Sequence, residues 1–466
     1  MHKKTKIICT LGPATDSYSE IEKLVHAGMN VARLNFSHGT YEHHQKIINN
    51  VRAVAKDLKR PIAIMQDLQG PKIRTCNIGE EGIKIKKGEV ITLTAKSVKG
   101  SKGLIPIQYK HLPQDVNKGD TILLDDGMIE LKVLKTTTTE IKCKTINNGL
   151  IKNRKGINVP SASINADPIT KKDKKDLKFG LKNHVDWVAL SFVRKGEDID
   201  RLRKLINNPL IGIIAKVERH EAIDNLEEII KAADGIMVAR GDLGVEIPAE
   251  QVPFIQKKII HLTNIYGKPV ITATQMLQSM VENPMATRAE ISDIANAILD
   301  HTDGIMLSNE TSVGKYPFRA VRTMSKVAKT AEAEMRKNEQ IIPNRIKEQN
   351  IPILNATCLS ACQLAEDIKA NYLIVLTKSG FTANQIAKHR PRQEIIVFTP
   401  SAQTKRKLTL VWGLNHIYQE KIFESTDPVK QIVKYLKYKK IISRRNELVI
   451  VNAGHKKSIL NTVTVK

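Results

Sequence analysis

At 466 residues the chain is too long for one hydrophobic core, so two or three folded units are expected. Its apolar (41%) and charged (26%) fractions are those of a soluble globular protein, and no run reaches the roughly 20 apolar residues of a membrane span. Lys plus Arg exceed Asp plus Glu by 74 − 48 = 26, but the basic residues are dispersed and aromatics make up only 4%, which argues for a solvated basic surface rather than a nucleic-acid face. The five cysteines include no CxxC pair, and Cys358 and Cys362, four apart on a helical pattern, read as buried thiols. A reducing compartment fits, and the basic N-terminus has too short an apolar stretch for a signal peptide, so a cytoplasmic location is expected.

Taken in order, the first 70 residues repeat a strand–helix unit. Apolar runs of strand length fall at Lys6–Thr10, Val31–Phe36 and Ile62–Asp67, with helical spacing over Tyr18–Ala27 and Glu42–Leu58. After an interruption the unit resumes, with strands expected at Trp187–Phe192, Gly212–Val217, Gly235–Ala239, Val270–Thr274 and Gly304–Leu307. Ahead of the last strand, Thr287 and Glu290 form a candidate capping box, followed by Ile291, Ile294, Ala295, Ile298 and Leu299 on one helical face. Runs apolar on both faces suit a parallel sheet covered by helices. Eight such units predict an α/β fold, a (β/α)8 TIM barrel over residues 1–70 and 167–340.

The interruption, 71–166, is rich in Thr, Val, Ile and Lys and carries turn signals at Lys87-Gly88, Lys118-Gly119 and Asp126-Gly127. It reads as a small inserted β-barrel domain, placed as a lid over the open end of the larger barrel. Past a polar, basic linker near Lys337–Asn350, strand and helix patterns alternate again, predicting an open α/β domain over 341–466. Its turn Thr377–Thr382 follows a strand and precedes a helix. Thr377, Ser379, Gly380 and Thr382 there form a candidate phosphate nest, beside the plain reading of a capping loop.

In such a barrel the catalytic groups come from the C-terminal ends of several strands. Those ends carry Arg33, Asn35 and Ser37; Asp67, then Lys72 and Arg74 across a Gly-Pro turn; Ser191; Lys216 and Glu218; Arg240, Gly241 and Asp242; Thr274 and Gln275; and Ser308, Asn309 and Glu310. Singly, each is an ordinary cap or rim residue. Together they offer Arg and Lys for phosphate oxygens and carboxylates for a hard divalent cation such as Mg2+, a set suited to phosphoryl transfer.

These residues sit in longer motifs: CTLGPAT (Cys9–Thr15), NVARLNFSHG (Asn30–Gly39), DLQGPKIR (Asp67–Arg74), IIAKVERHEA (Ile213–Ala222), MVARGDLGVEIP (Met237–Pro248), TATQMLQSM (Thr272–Met280) and MLSNET (Met306–Thr311). In that order they resemble the pyruvate kinase family over essentially the whole chain. The resemblance implies a barrel with an inserted β-domain and a C-terminal regulatory domain, and phosphoryl transfer from phosphoenolpyruvate to ADP, giving pyruvate and ATP. It implies that Lys216 neutralises the moving phosphoryl group and that Glu218 and Asp242 bind Mg2+. By the same likeness, Gly241 and Asp242 meet the substrate carboxylate, Arg33 holds the transferred phosphate, and Thr274, with Ser308 and Glu310, serves protonation of the enolate. A second Mg2+ would come with the nucleotide, near Arg74, Lys155 and His38, and a homotetramer is implied.

One departure from the family pattern carries information. Many members bind K+ through Asn, Ser, Asp and Thr, with a Glu after the Gly-Pro turn. Here Asn35, Ser37 and Asp67 are kept, but the Thr position is Leu68 and the Glu position is Lys72. A fixed ammonium at Lys72 can replace the mobile cation, so K+ independence is expected. The family's sugar-phosphate effector loop matches Thr377–Thr382, which makes a sugar-phosphate or nucleotide effector the expectation there. Two other readings stand beside it: a second enzyme reading, another Mg2+-dependent barrel acting on phosphoenolpyruvate or a 2-oxo acid, and one of a different class, a basic nucleic-acid-binding protein that kept the fold.

Overall fold

Eight parallel strands close into a barrel in chain order: Lys6–Thr10, Val31–Asn35, Ala63–Asp67, Trp187–Leu190, Gly212–Val217, Gly235–Ala239, Val270–Ala273 and Gly304–Leu307. This computed structural model describes residues 3–160, 162, 164, 166–338, 352–420, 422, 425–453 and 458–465, so the linker read at Lys337–Asn350 lies outside the described residues from position 339 on. The first strand pairs with the eighth, Lys6 opposite Gly304, and with the second. Side chains alternate across each strand. Ile8, Val31, Met65, Trp187, Ile214, Met237, Ile271 and Met306 fill the barrel interior. Ile7, Cys9, Ala32 and Leu34 pack outward against the helices. Burial on both faces is what made the strands continuous apolar runs. At Gly212 a Cβ would meet the Trp187 ring at 2.2 Å, so the indole packs onto bare backbone. The capping box expected at Thr287 and Glu290 forms reciprocally, and Ser17 caps the first helix by accepting from the Glu20 N–H.

Between the third and fourth strands the chain leaves the barrel. A six-stranded sheet runs in the order Ile157–Asn158, Thr121–Leu124, Ile129–Thr136, Glu140–Thr145, Val90–Thr94, Leu104–Pro106, accompanied by a ribbon of Ile83–Ile85 with Gly149–Ile151. It buries its own cluster, including Ile91, Leu93, Ile122, Leu131 and Ile141. The returning chain is tied to the barrel. Arg194 donates to the carbonyls of Ile164 (2.5 Å) and Ala166 (3.2 Å), and Arg219 donates to that of Ala162 (3.3 Å).

The C-terminal sheet is ordered His416–Gln419, Glu394–Thr399, Tyr372–Leu376, Glu447–Ala453, Ser458–Thr464, parallel except for the last pair. It grips the N-terminal floor of the barrel. Leu410, fully buried, joins the interior cluster of the barrel. Arg390 pairs with Asp303 (3.0 Å), Arg406 with Asp186 (2.7 Å), and the Trp187 indole N–H donates to the Lys407 carbonyl (3.2 Å). Among the described residues no helix is long and apolar enough to cross a membrane. Three expected strands stop short of their predicted ends: the second closes at Asn35, one residue before Phe36, and the fourth and seventh end where Phe192 and Thr274 turn into the left-handed region at φ 56° and 66°. The strands His416–Gln419 and Ser458–Thr464 went unpredicted; both are short or polar edge strands.

Candidate active site

The fifth strand delivers Lys216, and Glu218 follows two residues later on the same face. The Lys216 ammonium lies 2.9 Å from Glu218 Oε1 and 3.3 Å from Asp67 Oδ1, and donates to Ser191 Oγ at 2.7 Å. Asp67, at the end of the third strand, also receives Arg33 through Nε and Nη2, both at 2.7 Å. Arg33 Nη1 donates to Thr10 Oγ1 at 2.8 Å. Three strand ends are thereby cross-linked by one buried carboxylate. Burial works to raise the pKa of Asp67, but Lys216 and Arg33 outweigh it and hold the carboxyl below its ordinary value. Burial likewise pulls Lys216 down, yet Asp67 and Glu218 keep its ammonium above the usual lysine range.

Glu218 is in the opposite position. Burial pushes its carboxyl up; Lys216 opposes this, and the nearby charge of Asp242 adds to it, so the net shift is upward. Two carboxylates close enough for the charge of one to act on the other, Glu218 of them buried, are a donor set that suits a hard dication. Mg2+ fits Glu218 and Asp242 on those grounds.

The seventh strand end is held by unusual backbone. Thr274 and Gln275 both have positive φ, 66° and 56°, which a β-branched residue rarely adopts. Arg240 offsets the strain: it donates to the Thr274 carbonyl at 2.8 Å and pairs with Asp293 at 2.6 Å. The Thr274 hydroxyl donates to the Ala273 carbonyl (2.6 Å) and accepts the Gly241 N–H (2.8 Å), at the start of the helix Arg240–Glu246. Glu310 ties this end to the eighth strand, accepting the N–H groups of Ser308 (2.7 Å) and Leu277 (3.1 Å). Sequence reasoning placed Arg240, Ser191 and Glu310 on the rim but missed what Arg240 and Ser191 do, and it missed Thr10. An arginine directly after the apolar run Gly235–Ala239 was the available signal, and the structure buries it.

The remaining residues divide into three groups. Asn35 Oδ1 accepts the Ser37 N–H at 3.1 Å, beside Asp67. The Lys72 ammonium lies instead on Asp242 Oδ1, at 3.0 Å. His38 is held below its ordinary pKa by burial and then by the charges of Arg74, Arg33, Lys172 and Lys72, which marks a cationic corner. Lys155 pairs with Asp125 at 2.9 Å on the inserted domain. The loop Thr377–Thr382 lies apart, in the C-terminal unit. There Thr377 Oγ1 accepts the Gly380 N–H (3.0 Å), Ser379 Oγ accepts the Phe381 N–H (3.4 Å), Gly380 has φ 97°, and Thr382 is buried. Beneath it the Lys378 carbonyl accepts from Thr404 Oγ1 at 3.1 Å.

Comparison with known proteins decides among the readings. A family model described as "Pyruvate kinase, barrel domain" matches residues 2–321, and one described as "Pyruvate kinase, alpha/beta domain" matches residues 355–466. The chain belongs to the pyruvate kinase family. A pyruvate kinase of Staphylococcus epidermidis (strain RP62A) is 46% identical over 422 residues, 90% of this chain and 72% of that protein. One of Staphylococcus aureus (strain MRSA252) is 44% identical over 456 residues, 97% of this chain and 78% of the relative. The crystal structure of a pyruvate kinase from Cryptosporidium parvum superposes with TM-score 0.92 at 36% identity, covering 100% of this chain and 96% of that one. As a pyruvate kinase, this chain is a phosphotransferase of glycolysis acting on phosphoenolpyruvate and ADP, and the family generally uses a divalent metal.

Proposed function

We propose that the barrel mouth moves the phosphoryl group from phosphoenolpyruvate to ADP by way of Lys216, Arg33 and Thr274, without need of K+. The observation that carries this reading is the buried Lys216 ammonium fixed among Asp67, Glu218 and Ser191. Lys216 neutralises charge on the moving phosphoryl group and on the enolate left behind. Arg33, locked by Asp67 and Thr10, orients the transferred phosphate between donor and acceptor. Gly241 and Asp242 meet the substrate carboxylate. The Thr274 hydroxyl, with Ser308 at the neighbouring strand end, serves the proton that converts enolate to pyruvate. Mg2+ held by Glu218 and Asp242 supplies Lewis-acid neutralisation of the substrate oxygens when bound. Arg74, Lys155 and His38 face the nucleotide and its own Mg2+.

In the same reading Lys72, from its place on Asp242, supplies the fixed charge that stands in for K+ at Asn35, Ser37 and Asp67, and Thr377, Ser379, Gly380 and Thr382 bind a phosphorylated effector, a sugar phosphate or a nucleotide. The barrel spans 1–70 and 167–340, the lid 71–166 and the regulatory unit 341–466, and the enzyme works as a cytoplasmic homotetramer. The deciding experiment measures pyruvate formation from phosphoenolpyruvate, ADP and Mg2+ in a buffer free of K+ and Na+. Full turnover supports the reading, whereas a rate that appears only on adding K+ removes Lys72 from its role. A saturable response to a sugar phosphate, lost in Ser379→Glu, tests the effector loop.

A further inference from the structure

Lys72 stands where a divalent cation is expected to bind. Its ammonium is 3.0 Å from Asp242 Oδ1, and the two side chains are only 26% and 25% exposed. Asp242 is also the carboxylate whose charge is felt at Glu218. Around this point three carboxylates, Asp67, Glu218 and Asp242, are matched by three cations, Arg33, Lys216 and Lys72. Within these ion pairs the side-chain charges balance one another. A dication added with all three cations in place would leave two positive charges in excess. The oxygen of Asp242 would also have to serve an ammonium and a metal at once.

Among the three cations, Lys72 is the one positioned to leave. Lys216 and Arg33 are buried and each makes contacts to two or more groups. Lys72 is partly exposed, with Asp242 as its ion-pair partner, and it springs from the Gly70-Pro71 turn at the root of the inserted domain. Its stem runs past Gly156 on the returning strand, where a Cβ would meet Lys72 Cε at 3.3 Å.

We propose that Lys72 is an internal counter-ion of the divalent-cation site. Its ammonium holds Asp242 while the metal is absent, and the incoming cation displaces it before Glu218 and Asp242 act together as ligands. This rests on the reading of Glu218 and Asp242 as the ligands. The displaced ammonium becomes available on the cationic side near His38, Arg74 and Arg33, where anionic groups of the substrates enter. Lys72 is a positioning residue in this scheme, and it makes metal entry a competition.

The test is Mn2+ binding to the full-length chain, read from the electron paramagnetic resonance signal of the free ion. Substrates are absent and the only monovalent cation is tetramethylammonium. Removing one partly exposed ion pair is expected to tighten Mn2+ binding about fivefold in Lys72→Met and in Lys72→Gln. Affinity equal to or weaker than the parent's in both variants overturns the proposal. Turnover with and without K+, measured on the same samples, separates it from the K+ reading. Tighter Mn2+ binding with no K+ requirement supports the counter-ion and sinks the K+ replacement; a new K+ requirement with unchanged Mn2+ affinity does the reverse. Asp242→Asn is expected to lose the tight site. Parental Mn2+ affinity in Asp242→Asn would remove the ligand assignment and the proposal with it.

Discussion

Replacing Lys216 with methionine keeps most of the side chain's volume and deletes its charge. Asp67 retains Arg33, but Glu218, whose side chain is 1% exposed, keeps among the described residues only the Phe192 N–H at 2.7 Å. Removing one partner of a buried ion pair costs about 3–5 kcal/mol of stability. Part of that is recovered when Glu218 takes up a proton, to which burial and the charge of Asp242 already incline it. A net loss of about 2–3 kcal/mol is therefore expected. The effect on chemistry is separate. Loss of a preorganised charge aimed at the transition state lowers kcat about 100- to 1,000-fold. The double variant Lys216→Met/Glu218→Gln distinguishes the two effects, because it removes the stranded carboxylate without restoring the ammonium. Its stability should return to within about 1 kcal/mol of the parent while its kcat stays as low as in the single variant. Urea denaturation gives the first quantity, and lactate-dehydrogenase-coupled NADH loss gives the second. A single variant with parental kcat, or a double variant no more stable than the single, would refute the reasoning.

Thr274→Val keeps the shape but leaves the Gly241 N–H without its 2.8 Å acceptor; kcat should fall about 100-fold while Thr274→Ser recovers most of it, and steady-state rates in which Val and Ser behave alike would count against a role for the hydroxyl. His301 is held down to about 4 by burial and then by Arg390, so the folded chain refuses a proton that the unfolded chain accepts below about 6.5. Its contribution to stability is complete above pH 6.5 and is lost as pH falls toward 4, at about 1.4 kcal/mol per pH unit. His301→Asn, which suits the φ of 70°, should therefore lose about 2 kcal/mol less than the parent between pH 7 and pH 5 in urea titrations; equal losses would contradict the assignment. Leu410→Ala opens a cavity in the barrel floor and should cost about 2–5 kcal/mol, seen as a lowered Tm in calorimetry; an unchanged Tm would mean the floor closes without it.

Much of this was legible because the chemistry lies where strands end. The expected strand Gly212–Val217 carries Lys216 near its end, with Glu218 two residues on and so on the same face, and the structure keeps them 2.9 Å apart. The caps at Thr287 and Glu290 followed from local rules for the same reason. What local rules miss is contact across long stretches of chain. Lys72 meets Asp242 over 170 residues, and Arg240 meets Asp293 over 53. Nothing in either segment alone says which oxygen the cation will choose. The left-handed turn at Thr274 is hidden differently: intrinsic preference argues against it, and the Arg240 clamp and the Gly241 N–H, which meet it from another strand end, help to hold it. The edge strand Ser458–Thr464 lacks the buried apolar run that exposed the central strands, and it forms because Glu447–Ala453 offers a hydrogen-bonding edge.

The closure of the barrel also sets a timetable for its synthesis. The first strand, Lys6–Thr10, gains its second neighbour only when Gly304–Leu307 has been made. The backbone N–H groups of Lys4 and Thr5 wait for the Glu332 carboxylate, and the Lys4 ammonium waits for the carbonyls of Pro391, Arg392 and Gln393. At about 5–20 residues per second, the roughly 300 residues between the first and eighth strands take about 15–60 s to emerge. For that time five residues that end fully buried present an open edge on the nascent chain. Leu410 emerges later still, so the barrel receives its floor after its wall is complete. The oldest part of the chain is thus among the last to be secured.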